Sequence, residues 1–194
     1  MTLESLEVAR GHDGFLRGKP EPTLLVAAYR TNGPQPASLV GRLLVRAQLK
    51  SAIPCCVDLG EQELHYSARF ALTERIALLA LAVEENSGKG VEALYAATEA
   101  PDQILVYDAP EAEPVPRSLD EWARSEYRAP SAPPVEVLLG GECLAEVEGS
   151  DEYIAACAFS VSTQTRSEEV WRLPFIARDR RNDWTLVLRV RVVA

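Results

Sequence analysis

Two histidines, His12 and His65, and four cysteines, Cys55, Cys56, Cys143 and Cys157, are the side chains best suited to acid–base, nucleophilic or soft-metal chemistry near neutral pH. Nucleophilic catalysis needs a base within reach of a serine or cysteine, and neither histidine stands in a GxSxG or cysteine-protease setting. His65, in ELHYSA, has the surroundings of an exposed strand end. His12 adjoins Asp13, a pairing able to tune an imidazole. It does so inside GHDGFLRGKPEP, whose three glycines and two prolines read as a turn. The cysteines show no CxxC or Cys/His spacing for zinc, and the adjacent Cys55 and Cys56 are poorly placed to bridge one another. Reduced thiols in a cytoplasmic protein are the expectation. Carboxylates are abundant, yet nothing marks two of them as a buried acid pair of the glycosidase kind. GPQPASLVG and GKGVEAL lack the phosphate-loop spacing. These residues predict no enzyme, no cofactor and no resident metal.

Charge narrows the partners. The chain of 194 residues carries a net charge of −9, which opposes general binding to a nucleic-acid backbone and weakens attachment to an anionic bilayer. From Glu84 to Glu121 ten acids face only Lys89 and Arg117, so nearly all of the net charge falls in one segment. The most basic stretch is ARDRRND, Ala177 to Asp183. There three arginines are diluted by two aspartates, and the stretch reads as a solvated hairpin turn or a contact for a small anion or acidic partner. No charged and then apolar leader is evident at the N-terminus. The longest apolar run, Ile76 to Val83, has eight residues, too few to span a bilayer as a helix.

The elements that must position these groups are mostly strands. Between Ser38 and Lys50, Leu39, Leu43, Val45, Ala47 and Leu49 fall on one side, with Arg42, Arg46, Gln48 and Lys50 on the other. Thr185 to Val193 sets Leu186, Leu188, Val190 and Val192 against Arg189 and Arg191; these arginines would discourage pairing if that strand is a sheet edge, which favours a monomer over a homodimer. TLLVAAYRT is apolar on both faces and reads as a central strand. VEVLL, YIAACAFSVS and VWRLPFIA add shorter runs, with Pro174 placing the last at an edge or bulge. LLGGEC reads as a hairpin. GKGVEALYAATEAPD reads as a helix, with Val91, Leu94, Tyr95 and Thr98 on one face and Pro101 ending it. SLDEWARSEY reads as a second helix, capped by Ser118 and Glu121. Seven of the thirteen prolines lie between Pro101 and Pro134, so much of that stretch reads as extended connection. LTERIALLALAVEENSG fits a helix from Thr73 to Gly88, by its Leu and Ala content, or a strand buried on both faces.

LEVARGHDGFLRGKPEPTLLVAAY resembles the opening of a C2 domain, an antiparallel β-sandwich often used for calcium-dependent lipid binding. Asp13 matches the first loop acid, Gly18-Lys19 the Gly-Lys step, and Glu21-Pro22 replaces Asp-Pro. RIALLALAVEENSGKG resembles the second characteristic C2 segment, with Glu84 and Asn86 where two loop aspartates stand in the family. The resemblance turns the ambiguous segment towards strand and spans about half the chain in pattern. It implies a C2-like two-sheet antiparallel β-sandwich over residues 1–194, a single domain, with an acidic, proline-rich, helix-containing insertion at 89–134. If calcium binds, Asp13, Glu21, Glu84 and Asn86 would be its ligands. They offer at most three charges for a cation that takes six to eight oxygens, so the expectation is no metal. Phe15 and Leu16 would then form an apolar loop tip. The function expected is a non-enzymatic interaction or scaffold module for a protein partner, contacted through loops and insertion; the alternative is peripheral lipid binding, with or without calcium.

Overall fold

A computed structural model describes residues 1–11, 20–32, 35–71, 74–86, 88–99, 103–106, 115–117, 134–139, 142–143, 152–162, 166–177 and 180–193. Four strands form a smaller sheet: β1 (Thr2–Arg10), β4 (Cys55–Glu63), β11 (Ser167–Ile176) and β12 (Asp183–Val192), in the order β11-β12-β1-β4. The larger sheet runs β3 (Gln35–Arg46), β2 (Pro22–Asn32), β5 (Arg75–Glu84), β10 (Glu152–Ser162), β8 (Pro134–Leu139), β6 (Gln103–Val106) and β7 (Val115–Arg117), with β9 (Glu142–Cys143) paired to β8. All described pairs are antiparallel. The protein is a two-sheet β-sandwich.

Alternation decides which side chains meet between the sheets. From the smaller sheet Leu3, Leu6, Val8, Trp171, Leu173, Phe175, Trp184, Leu186 and Leu188 are buried, while their neighbours Arg172, Pro174, Ile176 and Arg189 are exposed. From the larger sheet come Leu24, Val26 and Ala28 on β2, Leu78, Ala80 and Ala82 on β5, and Cys157 and Phe159 on β10, set level by the strand register. Phe159 meets the ring of Trp171 edge to face, 4.8 Å between centroids. Each of the fully buried leucine, valine and phenylalanine side chains contributes about 1.5–3 kcal/mol through surface removed from water.

The sandwich is closed along both sides. Beside β10 and β11 the Cys157 thiol donates to the carbonyl of Pro174, 3.3 Å away. Pro174 lies on β11, an edge strand, where a residue without an N–H costs the sheet no bond. Beside β3 and β4, Leu64 sits so close to Gly41 that a Cβ there would lie 2.8 Å from Leu64 Cδ1.

The opposite face of the larger sheet is buried as well, and its residues include Leu25, Ala27, Tyr29, Leu79, Leu81 and Ala158. Helix α1 (Lys89–Ala97) lies against it, with Val91, Leu94 and Thr98 buried. Tyr29 Oη donates to the Thr98 carbonyl, and burial pushes the Tyr29 hydroxyl well above its usual range. Arg42 donates to the carbonyl of Tyr95 at 2.6 Å and stacks on the Tyr95 ring, 3.7 Å from its centroid. The helix begins after Gly88, whose φ of 76° suits a residue without a Cβ.

The segment Ile76–Val83 is a strand, and its position between β2 and β10 is the physical reason: with sheet partners on both edges and cover on both faces, Leu and Ala lie fully buried in extended backbone. The β8–β9 pairing, Leu138 to Cys143, is the hairpin expected of LLGGEC. The capped segment SLDEWARSEY lies outside the described residues. Arg189 and Arg191 guard no edge, because β12 lies between β11 and β1. They instead face solvent, Arg189 pairing with Glu4 at 2.7 Å and Glu168 at 2.9 Å.

Candidate functional site: an arginine-lined cleft

At one end of the smaller sheet, the last residue of β1 and the first of β12 stand opposite each other, Arg10 against Asp183. Their side chains form an ion pair at 2.9 Å, half exposed for Arg10 and about a quarter for Asp183. The β11–β12 hairpin closes beside them. Ala177 N–H donates to the Asn182 carbonyl at 3.0 Å and Arg180 N–H to the Ala177 carbonyl at 2.8 Å. Asn182 is fully buried, and its Nδ2 donates to Glu152 Oε1 at 3.3 Å, tying the hairpin to the first residue of β10. The tip is thereby held, and Arg180 and Arg181 project from it exposed.

A third segment completes the arrangement. Ile53, in the connection from β3 to β4, approaches Gly11 so closely that a Cβ on Gly11 would lie 2.8 Å from Ile53 Cδ1 and 2.8 Å from Pro20 Cγ. Only glycine permits that approach without displacing its neighbours. The result is a cleft of about 320 Å³ lined by Ala9, Arg10, Gly11, Ile53, Arg180 and Arg181. The residue after Asp183, Trp184, is completely buried, opposite Val8 and Phe175.

The electrostatics are unusual for an acidic chain. Three guanidinium groups line one opening, and Asp183 offsets Arg10. Among the described residues no carboxylate lies within ion-pair distance of Arg180. An exposed pair such as Arg10–Asp183 contributes only about 0–1 kcal/mol, so an incoming anion can compete for it at small cost. Chemically the cleft can hold an anion against a partly apolar wall.

The residues singled out from sequence are distributed differently. Glu21 is exposed just before β2, and Asn86 is exposed just beyond β5. Glu84 is buried at the end of β5, opposite Pro22 and Glu152. Its neighbour Glu85 takes hydrogen bonds from Thr23 Oγ1 at 2.7 Å and Arg46 Nε at 2.6 Å. Among the described residues no group of three or more His, Cys, Asp or Glu side chains is placed to hold a metal ion. Asp13, Phe15, Leu16 and His12 lie outside the described residues. His65 follows β4 at the surface, its imidazole against the Glu63 carboxylate, and that contact holds the Glu63 carboxyl below its usual range.

The thiols separate by environment. Cys55 and Cys56 are adjacent on β4 and so point to opposite faces, Cys56 exposed and Cys55 half-buried. Cys157 is buried, and desolvation pushes its thiol up to about 12. Because the thiolate is the reactive form, iodoacetamide under native conditions is expected to modify Cys56 and spare Cys157. Peptide mass spectrometry reads this directly; alkylation of Cys157 as fast as Cys56 would contradict its placement in the core.

Sequence inspection picked out the basic turn but not Arg10 or Ile53, which complete the cleft. Arg10 and Asp183 are 173 positions apart, and only strand pairing brings them together. The available signal was an arginine ending an apolar strand next to a glycine. Compared with protein-family models, curated proteins and solved structures, the chain matches none.

Proposed function

We propose that this chain is a non-enzymatic interaction module, a C2-like β-sandwich that works in the cytoplasm by binding a protein partner at its arginine-lined end. The observation that carries this reading is the cleft itself. Two separate chain segments bring Arg10 and the adjacent Arg180 and Arg181 to one opening, in a molecule whose net charge is −9. Charge placed against the overall sign of a protein acts at short range, because the Debye length is about 8 Å at physiological salt. It thus favours an anionic surface that docks closely over one attracted from afar. The free thiols Cys55, Cys56 and Cys157 accord with a reducing compartment.

The test is a quantitative affinity capture from the source cells with two baits, wild type and Arg180→Glu/Arg181→Glu. The reading expects a protein retained by the wild type and depleted with the variant. Identical protein sets on both baits would overturn it.

Peripheral lipid binding is the second reading, favoured by the same arginines and by Phe15 and Leu16 in the segment that follows Gly11 in sequence. Sedimentation with phosphatidylserine vesicles, with and without calcium, separates the two. The protein-partner reading expects the chain to stay in the supernatant.

A further inference from the structure

The structure assigns the cleft a ligand class and a selector: we infer that it recognises a carboxylate-rich peptide segment, held by Arg180 and Arg181, and that Asp183 sets how much negative charge that segment must bring. This inference rests on the interaction-module reading and names the chemistry of its partner. Arg180 and Arg181 stand at the tip of a hairpin fixed by two backbone hydrogen bonds and by the buried Asn182. Their guanidinium groups are thus presented with little backbone freedom left to lose on binding. A guanidinium takes a carboxylate through two parallel N–H bonds, a match that lysine does not offer. Ile53 and Ala9 line the same cleft and suit the methylene stem of a glutamate beside its charged end.

Asp183 gives the cleft its threshold. It occupies Arg10 at 2.9 Å, so a weakly charged ligand meets chiefly Arg180. A ligand with several carboxylates can displace Asp183 from Arg10 and gain a third contact. The molecule's net charge of −9 works against an extended anionic bilayer, which all its acids would face at once. A short peptide entering the cleft meets chiefly the arginines.

The experiment is fluorescence anisotropy of a fluorescein-labelled hexaglutamate peptide at low salt, with folding of every variant checked by circular dichroism. Arg180→Glu/Arg181→Glu should weaken binding by about tenfold or more, the scale of a lost close charge pair. Arg180 sits at φ 62°, so Arg180→Gly, which suits that backbone, should weaken binding without strain. Arg172→Glu, a charge reversal on the outer face of the smaller sheet, should change it by less than about twofold. Asp183→Asn should tighten binding by about threefold or more, because it frees Arg10. Glu168→Gln, which removes the same charge beside Arg189, should not. Equal losses for the hairpin and Arg172 variants, or equal gains for Asp183→Asn and Glu168→Gln, would overturn the inference. So would binding to phosphatidylserine vesicles, sensitive to Arg180, in place of the peptide. If the peptide fails to bind while affinity capture still depends on Arg180, the carboxylate chemistry is wrong and the interaction module stands.

Discussion

Alanine in place of Trp184 is expected to destabilise the domain by about 3–5 kcal/mol, the range for removing a large aromatic side chain from a core. Among the described residues Trp184 is the largest of the completely buried side chains. It is level with Val8 on one neighbouring strand and Phe175 on the other, one residue after Asp183. Both sides are fixed by strand pairing, so little collapse can fill the void. Against a total stability of about 5–15 kcal/mol, such a loss shifts a urea transition far enough to measure without ambiguity. Phenylalanine should cost much less. Among the described residues the indole Nε1 is buried without a hydrogen-bond partner, so the exchange removes an unmet donor along with some volume. A loss below about 1 kcal/mol for the alanine variant would show that the indole does not fill the core as described.

The second large effect belongs to the other face of the larger sheet. Tyr29 is buried against α1, and its hydroxyl donates to the carbonyl of Thr98 just beyond the helix. Tyr29→Ala should cost about 3–5 kcal/mol by leaving a ring-sized cavity. Tyr29→Phe isolates the hydrogen bond. It leaves the Thr98 carbonyl without that donor in a buried position, at a cost of about 1–3 kcal/mol. The two variants share a signature that a general loss of stability lacks: amide exchange should accelerate first in Lys89–Ala97, ahead of β2 and β5. Uniform acceleration through the sandwich, or an unchanged helix in Tyr29→Phe, would contradict the docking of α1 through this residue.

Much of this architecture was legible in the sequence because alternation is a direct imprint of a half-buried sheet. Leu186, Leu188 and Val190 point inward as their spacing requires, with Arg189 and Arg191 outward. TLLVAAYRT is the central strand its two apolar faces imply, and the face of Val91, Leu94 and Thr98 buries α1 as the helical spacing implies. Other elements were legible only in part. Ile76 to Val83 has helix-forming composition, and its strand state comes from partners on both edges, a tertiary cause that local propensity does not carry. In β4, CCVDLGEQE, most residues are exposed, and Gly60 and Glu61, both at positive φ, interrupt the register with β1. The cleft was the hardest to see. Its basic turn stood out in the chain, but the opening exists only because β1 and β12 pair and because Gly11 lets Ile53 come close. The C2 resemblance offered Asp13, Glu21, Glu84 and Asn86 only in the event of calcium binding; of these Glu21 and Asn86 are exposed and Glu84 is buried.

The most direct test of the account is where a ligand lands. In amide proton–nitrogen spectra of the isotope-labelled protein titrated with the hexaglutamate peptide, shift changes should concentrate at Ala9–Gly11, Ile53 and Ala177–Asp183. They should be absent from the same titration of Arg180→Glu/Arg181→Glu. Changes centred on α1 or spread over the outer face of the smaller sheet, and persisting in that variant, would contradict it.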